Sequence, residues 1–227
     1  MTKFKYSQTT EKAYEIIKKQ LIEGKHVAGG KLDERSLSDE LGTSRTPIRE
    51  ALNQLRQEGY IERVLRVGHV VKHFSLKEFK ELYAVRTVLE VTAVRMALDH
   101  SDDEKIAALH SILESSHKST QLPGQRRQYI TDEGLEFHML LNSYCGNETL
   151  YKYLSSVTEK ITLIHRRLKE DSSGYDRSCD SLVEHRRIFE AFANRDADQL
   201  EKAVRDHNAS AQQYDIDSLL RDGKSLI

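Results

Sequence analysis

Residues 37–55 constrain the fold of this chain most, because they have the pattern of two short helices joined by a tight turn. Gly42 ends the first helix, since glycine readily takes the left-handed conformation that a C-terminal cap needs. Thr43 or Ser44 is then placed to cap the second helix. The apolar residues of that second helix recur at helical spacing and are Ile48, Ala51, Leu52 and Leu55. This pattern predicts a helix-turn-helix.

Three polar residues, Arg45, Thr46 and Arg49, are left on the outward face near the start of the second helix. In a helix-turn-helix, this part of the second helix enters the major groove of DNA. Guanidinium groups there can bind guanine edges or clamp phosphates. The alternative interpretation is an ordinary helical hairpin whose arginines are solvated.

The residues that follow favour the DNA-binding interpretation. Residues 58–60 (Glu-Gly-Tyr) close the second helix, and residues 61–65 mix apolar and charged side chains as a short strand does. Residues 66–69 form a turn, and residues 70–72 return as a second strand. A helix-turn-helix followed by a basic hairpin is a winged helix, whose wing tip is free to touch the DNA backbone or the minor groove.

Residues 31–52, with the segments Glu58-Gly-Tyr-Ile and Arg66-Val-Gly-His-Val-Val, resemble the DNA-binding domain of GntR-type bacterial regulators. The run Ser-Arg-Thr-Pro-Ile-Arg-Glu-Ala-Leu is highly specific for that family. The resemblance implies that Arg35, Arg45 and Arg49 contact DNA, with support from the turn and the wing. The full set expected to contact double-stranded DNA is Arg35, Thr43, Ser44, Arg45, Thr46, Arg49, Arg66, Gly68 and His69.

Length and charge indicate two domains. The chain has 227 residues, which exceeds the usual size of a single domain. Residues 1–74 carry 14 Lys and Arg against 10 Asp and Glu, whereas the remainder carries 21 against 26. A basic front and an acidic back fit a nucleic-acid module joined to a part that does not touch phosphate. We expect a DNA-binding domain at 1–74 and an all-helical domain at 75–227.

The cysteines and the hydropathy pattern indicate a soluble cytoplasmic protein with no membrane partner. Cys145 and Cys179 show no Cys-x-x-Cys spacing, which favours reduced thiols. The N-terminus has no apolar run, and no stretch approaches the length of a membrane span.

Helical periodicity predicts a mostly α-helical fold. The first domain has a helix over residues 9–23, the two helices of the helix-turn-helix and a two-stranded wing. In the second domain we expect six helices in an antiparallel bundle. Their approximate ranges are 76–100, 102–119, 125–144, 147–170, 177–194 and 196–220.

Three histidines of the bundle, His138, His185 and His207, lie on or at the edge of apolar helix stripes. Neutral imidazoles are poorly accommodated in an apolar core without partners, and they bind divalent transition metals well. Each could instead be a core histidine with satisfied hydrogen bonds. Three together favour a metal site.

Arg86 occupies an inward position between Leu82 and Leu89, where the helical pattern calls for an apolar residue. A buried arginine needs a counter-ion. Glu90, one turn further on, could supply it. Alternatively, the planar guanidinium binds the carboxylate of a small ligand in a bidentate way.

Five further segments resemble the FCD effector domain of the FadR subfamily: 82–90, 137–141, 146–150, 184–192 and 205–208. In many such domains, an Asp and three His bind a divalent metal such as zinc or nickel beside a cavity for a small organic acid. His138, His185 and His207 match the three histidines. The expected Asp falls on Gly134, which has no side chain to ligate with, so the resemblance implies a three-His site completed by water or by the effector carboxylate.

Two classes of function compete at this stage. A ligand-responsive transcriptional repressor would act as a homodimer, because one recognition helix reads few base pairs and a two-fold dimer matches a palindromic operator. The alternative is a metal-dependent enzyme that uses the three-His site. The enzyme interpretation lacks a His-Glu-x-x-His general base and leaves the first domain unexplained. We therefore expect a regulator and not an enzyme.

Overall fold

The computed structural model describes residues 7–121, 133–169 and 177–221. The chain divides into two compact units, of which the first ends at Ser75 and the second begins at Leu76. Among the described helices, none combines the length and hydrophobicity that a bilayer span requires.

The first unit is a winged helix-turn-helix, as predicted. Its helices are α1 (Gln8–Ile22), α2 (Glu34–Glu40) and α3 (Arg45–Gln57), and its strands are β1 (Lys31–Leu32), β2 (Ile61–Val64) and β3 (Gly68–Val71). The strands form one antiparallel sheet in the order β1-β3-β2.

The expectation of a two-stranded wing was incomplete, because β1 adds a third strand. Lys31 pairs with Val70 and Leu32 pairs with His69. A strand of two residues is too short to show the alternation that identifies strands in a sequence. Its existence depends on the partner that the fold provides.

In the turn between α2 and α3, the prediction for the end of α2 is confirmed, but the predicted side-chain cap of α3 is absent. Gly42 has a φ of 60°, in the left-handed region that glycine tolerates. Ser44 occupies the N-cap of α3 but makes no capping hydrogen bond with its side chain. Pro47, at the third helical position, has no N–H to donate to that hydroxyl.

The core of the first unit lies between α1 and α3, which pack against each other. The predicted apolar face of α3 is completely buried there. Its members Ile48, Ala51, Leu52 and Leu55 meet Ile17 and Leu21 of α1 in the same core. Burial of this face leaves the opposite face of α3 for solvent.

The described residues of the second unit form six helices joined by loops or by segments outside the description, as predicted. They are α4 (Leu76–Asp99), α5 (Asp103–Gln121), α6 (Glu133–Ser143), α7 (Glu148–Lys169), α8 (Ser178–Ala193) and α9 (Ala197–Arg221). The first part of the predicted helix 125–144, up to residue 132, lies outside the described residues. Helix α9 packs against α8 and α4, and α4 packs against α7. This arrangement brings α4, α6, α8 and α9 around a shared interior.

Candidate nucleic-acid interface and ligand cavity

The start of α3 presents exposed polar side chains, among them Ser44, Arg45 and Thr46. Arg49 is exposed one turn further on, and Glu34 at the start of α2 holds its guanidinium. Nη2 of Arg49 donates to Oε2 of Glu34 at 2.9 Å, and Nε donates to the same oxygen at 3.2 Å. The ion pair fixes the direction in which Arg49 leaves the helix.

The carboxylate of Glu34, on α2, interacts with residues of both α3 and β3. Hydrogen bonds from Arg49 lower the pKa of the Glu34 carboxyl, the charge of Arg45 lowers it further, and His69 lowers it only when its ring is protonated. Three of the sequence-predicted contact residues therefore surround one acidic side chain. Arg35, on α2, is exposed and lies 3.9 Å from the carboxylate of Asp39.

Only some of the wing residues that were predicted to contact DNA are exposed. Arg66 is exposed at the hairpin tip with a φ of 66°, and Gly68 has a φ of 104°. Leu65, expected at the end of a strand, instead lies in the turn and is 85% exposed. His69 is only 8% exposed, and its Nε2 is buried without a hydrogen-bond partner. Burial lowers the pKa of His69, so its ring is held neutral inside the unit.

In the second unit, the three predicted histidines come together from three helices. His138 lies on α6, His185 on α8 and His207 on α9, and all three are buried. Nε2 of His138 lies 3.1 Å from Nε2 of His185 and 3.0 Å from Nε2 of His207. One ring nitrogen from each residue falls within a span of 4.8 Å, which is compatible with shared ligation of one metal ion.

Two glutamates orient this cluster. Oε1 of Glu90 lies 2.8 Å from Nδ1 of His138, and Oε2 of Glu184 lies 2.8 Å from Nδ1 of His207. A carboxylate on Nδ1 holds the proton there and directs the Nε2 lone pair inward, as in the outer shell of many metal sites. Two lone pairs 3.0 Å apart repel unless a cation or a proton lies between them. The donor set therefore fits a divalent metal.

The electrostatics of the cluster also suit metal ligation. Burial lowers the pKa of both His185 and His207 well below its ordinary value, and the neighbouring imidazoles add to the effect. Both rings are consequently neutral near pH 7. Neutral imidazole is the form that binds a metal.

Glu90 is a buried carboxylate that accepts from four donors. Oε1 accepts from His138 and from the amide of Asn142, and Oε2 accepts from Arg86 and from the amide of Asn208. Burial alone would raise the pKa of Glu90, but Arg86 and His138 outweigh it and hold that pKa well below its usual range. Glu90 is therefore ionised and joins Arg86 to the histidine cluster.

The three histidines line a small cavity of about 60 Å³. Arg86 lines it too, and Glu90 is its counter-ion, which is one of the two interpretations of this residue. Its Nε pairs with Glu90 at 3.1 Å, while its terminal nitrogens have no hydrogen-bond partner among the described residues. The other lining residues are Gly134, Leu135, Thr158, Ile161, Thr162, His165, Arg177, Ser181 and Ala211.

Sequence reasoning missed several of these residues. Glu184 lies next to His185 in the sequence, but only the fold shows that it binds His207. Arg177 also pairs with Glu184 and donates to the hydroxyl of Ser210 at 2.9 Å. On α7, residues 158, 161, 162 and 165 share one helix face, which is the one signal that could have grouped them.

Comparisons with known proteins agree with both halves of this description. Residues 9–71 match the family model of bacterial regulatory proteins of the gntR family, and residues 81–210 match the FCD domain. The chain belongs to the GntR family. Its second domain is an FCD domain, which places it with regulators of the FadR type.

Similar proteins of this family include an uncharacterized HTH-type transcriptional regulator, YdhC, of Bacillus subtilis. It is 30% identical over 86% of this chain and 85% of its own length. The gluconate operon transcriptional repressor of Bacillus licheniformis is 29% identical over 83% of this chain and 77% of its own length. Among solved structures, Escherichia coli McbR/YncC has the same fold, with a TM-score of 0.81, 18% identity and coverage of 96% and 100%.

These findings decide between the two classes of function. The chain is a DNA-binding transcriptional regulator of the GntR family. The family and the similar proteins are regulators, so the expectation that this chain is not an enzyme is confirmed.

Proposed function

We propose that this protein is a ligand-responsive repressor that binds a palindromic operator as a homodimer. Residues 1–74 would bind DNA, and residues 75–227 would bind the effector and form the dimer. The main support is a cavity in the helical unit of a DNA-binding regulator, where three buried, convergent imidazoles lie beside a buried guanidinium. One similar protein is named as the repressor of a gluconate operon, and another is named as the probable repressor of a D-xylose utilization operon. A regulator of this kind acts in the cytoplasm, where bacterial DNA lies.

The proposed DNA interface is the first turns of α3 together with the wing. Arg45, Thr46 and Arg49 are exposed at the start of that helix, where backbone N–H groups also favour phosphate. The remaining proposed contacts are Arg35, Thr43, Ser44, Arg66, Gly68 and His69. Since the ring of His69 is buried and β3 pairs with a strand on each side, its contribution would be to support the wing that carries the exposed contacts.

The proposed metal ligands are His138, His185 and His207, with zinc or nickel as the ion. When bound, the metal would supply positive charge to an anionic ligand. Glu90 and Glu184 hold two of the three imidazoles in the ligating orientation. Gly134 contributes no ligand, so water or the effector would complete the coordination.

The proposed effector is a small carboxylate. Arg86 is anchored to Glu90 through Nε, and its two terminal nitrogens would bind the carboxylate as a pair. The two DNA-binding domains of the dimer could take more than one arrangement. An effector that binds the dimer more tightly in one of these arrangements would change the affinity of the dimer for DNA. DNA must then change the affinity for the effector by the same factor.

The experiment begins with an operator that the purified protein selects from random-sequence duplexes. Gel-shift titrations at fixed salt then measure operator affinity with and without zinc and a panel of small carboxylates. We expect selection of a palindrome, and an affinity that at least one carboxylate changes. Failure to select any sequence would contradict operator binding, whereas affinity unchanged by every carboxylate would contradict the ligand response.

A further inference from the structure

Arg49 and Glu34 form a fork-shaped ion pair on the surface of the first unit. Oε2 of Glu34 accepts from Nη2 of Arg49 at 2.9 Å and from Nε at 3.2 Å, and Oε1 accepts from the same Nε at 3.3 Å. The carboxylate therefore occupies the edge of the guanidinium that carries Nε. Because Glu34 lies on α2 and Arg49 on α3, the pair joins the two helices of the helix-turn-helix.

The other edge of the Arg49 guanidinium is left for a ligand. An arginine side chain has five N–H groups. The contacts with Glu34 use the one on Nε and one of the two on Nη2, and the other three have no partner in the described part of the chain. They lie at the end of a side chain that is 63% exposed. Two parallel donors on Nη1 and Nη2 match the O6 and N7 acceptors of guanine.

The ion pair also changes how Arg49 interacts with phosphate. The negative charge of Glu34 offsets the positive charge of Arg49, and hydrogen bonds from Arg49 keep the carboxyl ionised by lowering its pKa. Binding to phosphate depends on positive charge that releases counter-ions, whereas readout of a base depends on where the donors lie. Arg45, one turn earlier on α3, is exposed and has no carboxylate partner among the described residues. Arg49 is therefore the weaker phosphate ligand of the two.

We propose that Glu34 is a positioning residue that determines specificity, because it holds Arg49 to read a guanine of the operator instead of clamping a phosphate. This inference rests on the proposed function, in which the start of α3 contacts the operator. The carboxylate of Glu34 repels a phosphate that approaches Arg49. Its hydrogen bonds also restrict the rotamers of Arg49, so that the free edge of the guanidinium is already oriented before DNA binds.

The test compares operator and non-specific duplexes in gel-shift titrations of the full-length protein at several salt concentrations. The operator is the sequence that the wild type selects from random duplexes, and each of its base pairs is substituted in turn. In the wild type, we expect one G·C pair whose substitution weakens binding by about 10-fold or more. The same substitution should have little effect in Arg49→Ala, which identifies the pair that Arg49 reads.

Glu34→Gln keeps the size of the side chain and removes its charge. We expect this variant to lose most of the preference for that G·C pair and to bind non-specific DNA more tightly. Its plot of log K against log salt concentration should steepen by about 0.9, the value for one additional phosphate contact. Loss of a residue that only stabilised the fold would instead weaken both kinds of binding. Glu15→Gln removes the same charge from the exposed face of α1 and is the control, which should keep the preference.

A double variant tests whether Glu34 acts through Arg49. If it does, Glu34→Gln changes neither the base preference nor the salt dependence in a protein that already carries Arg49→Ala. A change as large as the one seen with Arg49 present would overturn the inference, because Glu34 would then act on DNA or on the fold independently.

The remaining outcomes separate this inference from the proposed function. Full preference for the G·C pair in Glu34→Gln would overturn the role of Glu34, and the contact of Arg49 with the base would stand. If Arg49→Ala altered the preference at no base pair, both the role of Glu34 and the proposed base contact of Arg49 would be wrong. Selection of no operator would contradict both as well.

Arg49→Lys carries the test should Glu34→Gln fail to fold, as judged by circular dichroism. A lysine keeps the charge and the carboxylate partner, but one ammonium group cannot pair with Glu34 and also present two parallel donors. The preference for the G·C pair should therefore fall, while the salt dependence stays that of the wild type. Wild-type preference in Arg49→Lys would overturn the inference.

Discussion

The buried carboxylate of Glu90 holds Nδ1 of His138 at 2.8 Å, and both side chains are almost completely excluded from solvent. The other oxygen of Glu90 pairs with Arg86 at 3.1 Å. One carboxylate thus orients a proposed metal ligand and a proposed effector ligand at the same time. Loss of its charge is expected to disturb both.

We expect Glu90→Gln to weaken zinc binding by about 10–100-fold, the usual effect of removing an outer-shell carboxylate. The variant should also unfold at lower temperature, because Arg86 loses its buried counter-ion. A competition assay with a zinc-binding dye measures the affinity. Glu81→Gln, at an exposed position of the same helix, is the control and should match the wild type. Unchanged zinc affinity in Glu90→Gln would contradict the orienting role.

Metal retention tests the histidine cluster directly. Protein purified without chelator should carry a divalent metal, and His185→Ala should lose it, because two imidazoles hold an ion far less tightly than three. Elemental analysis by mass spectrometry gives the stoichiometry. His110→Ala, which alters an exposed histidine of α5, should retain the metal. Wild-type protein free of metal would mean that the three histidines serve only the core.

Operator affinity tests the start of α3. Arg45→Ala or Arg49→Ala should cost about 1–3 kcal/mol of binding free energy if the side chain reads a base. Gel-shift titration at fixed salt measures the loss. Arg56→Ala changes an exposed arginine in the last turn of the same helix and should have a smaller effect. Wild-type affinity in both Arg45→Ala and Arg49→Ala would remove these residues from the interface.

The stability of the metal-free protein should fall as the pH decreases below about 6.5, the ordinary pKa of histidine. Burial lowers the pKa of His185 and His207 in the folded state, so the unfolded chain binds more protons in this range. Each histidine then reduces the free energy of unfolding by up to about 1.4 kcal/mol per pH unit. Urea denaturation in the presence of a chelator, at several values between pH 5 and 7.5, measures the slope.

The variant His207→Gln isolates the contribution of the cluster to that slope. His69 of the first unit also has a lowered pKa and adds to the slope of the wild type. The slope should therefore decrease in His207→Gln and stay unchanged in His110→Gln. Equal slopes in all three proteins would contradict the neutral, buried state of His207.

The features of this protein that could be predicted from its sequence are those that follow from the spacing of neighbouring residues. The burial of Ile48 and Leu52 follows from helical periodicity, which also places Arg45 and Arg49 on the opposite face. The same periodicity marks His138, His185 and His207 as inward-facing. Strand β1 was not predicted, because it depends on a partner strand. The missing side-chain cap at Ser44 has a local cause that the sequence does contain, since Pro47 has no N–H to donate.

The sequence by itself determined which side chains face inward, because helix spacing is a property of neighbouring residues. Only the tertiary structure decided which of those side chains meet. The pairing of Glu184 with His207 joins different helices, and the pairing of Asp215 with His165 spans fifty positions of the chain. Such contacts depend on how α4, α6, α7, α8 and α9 are rotated and packed against one another, and no local pattern records that arrangement.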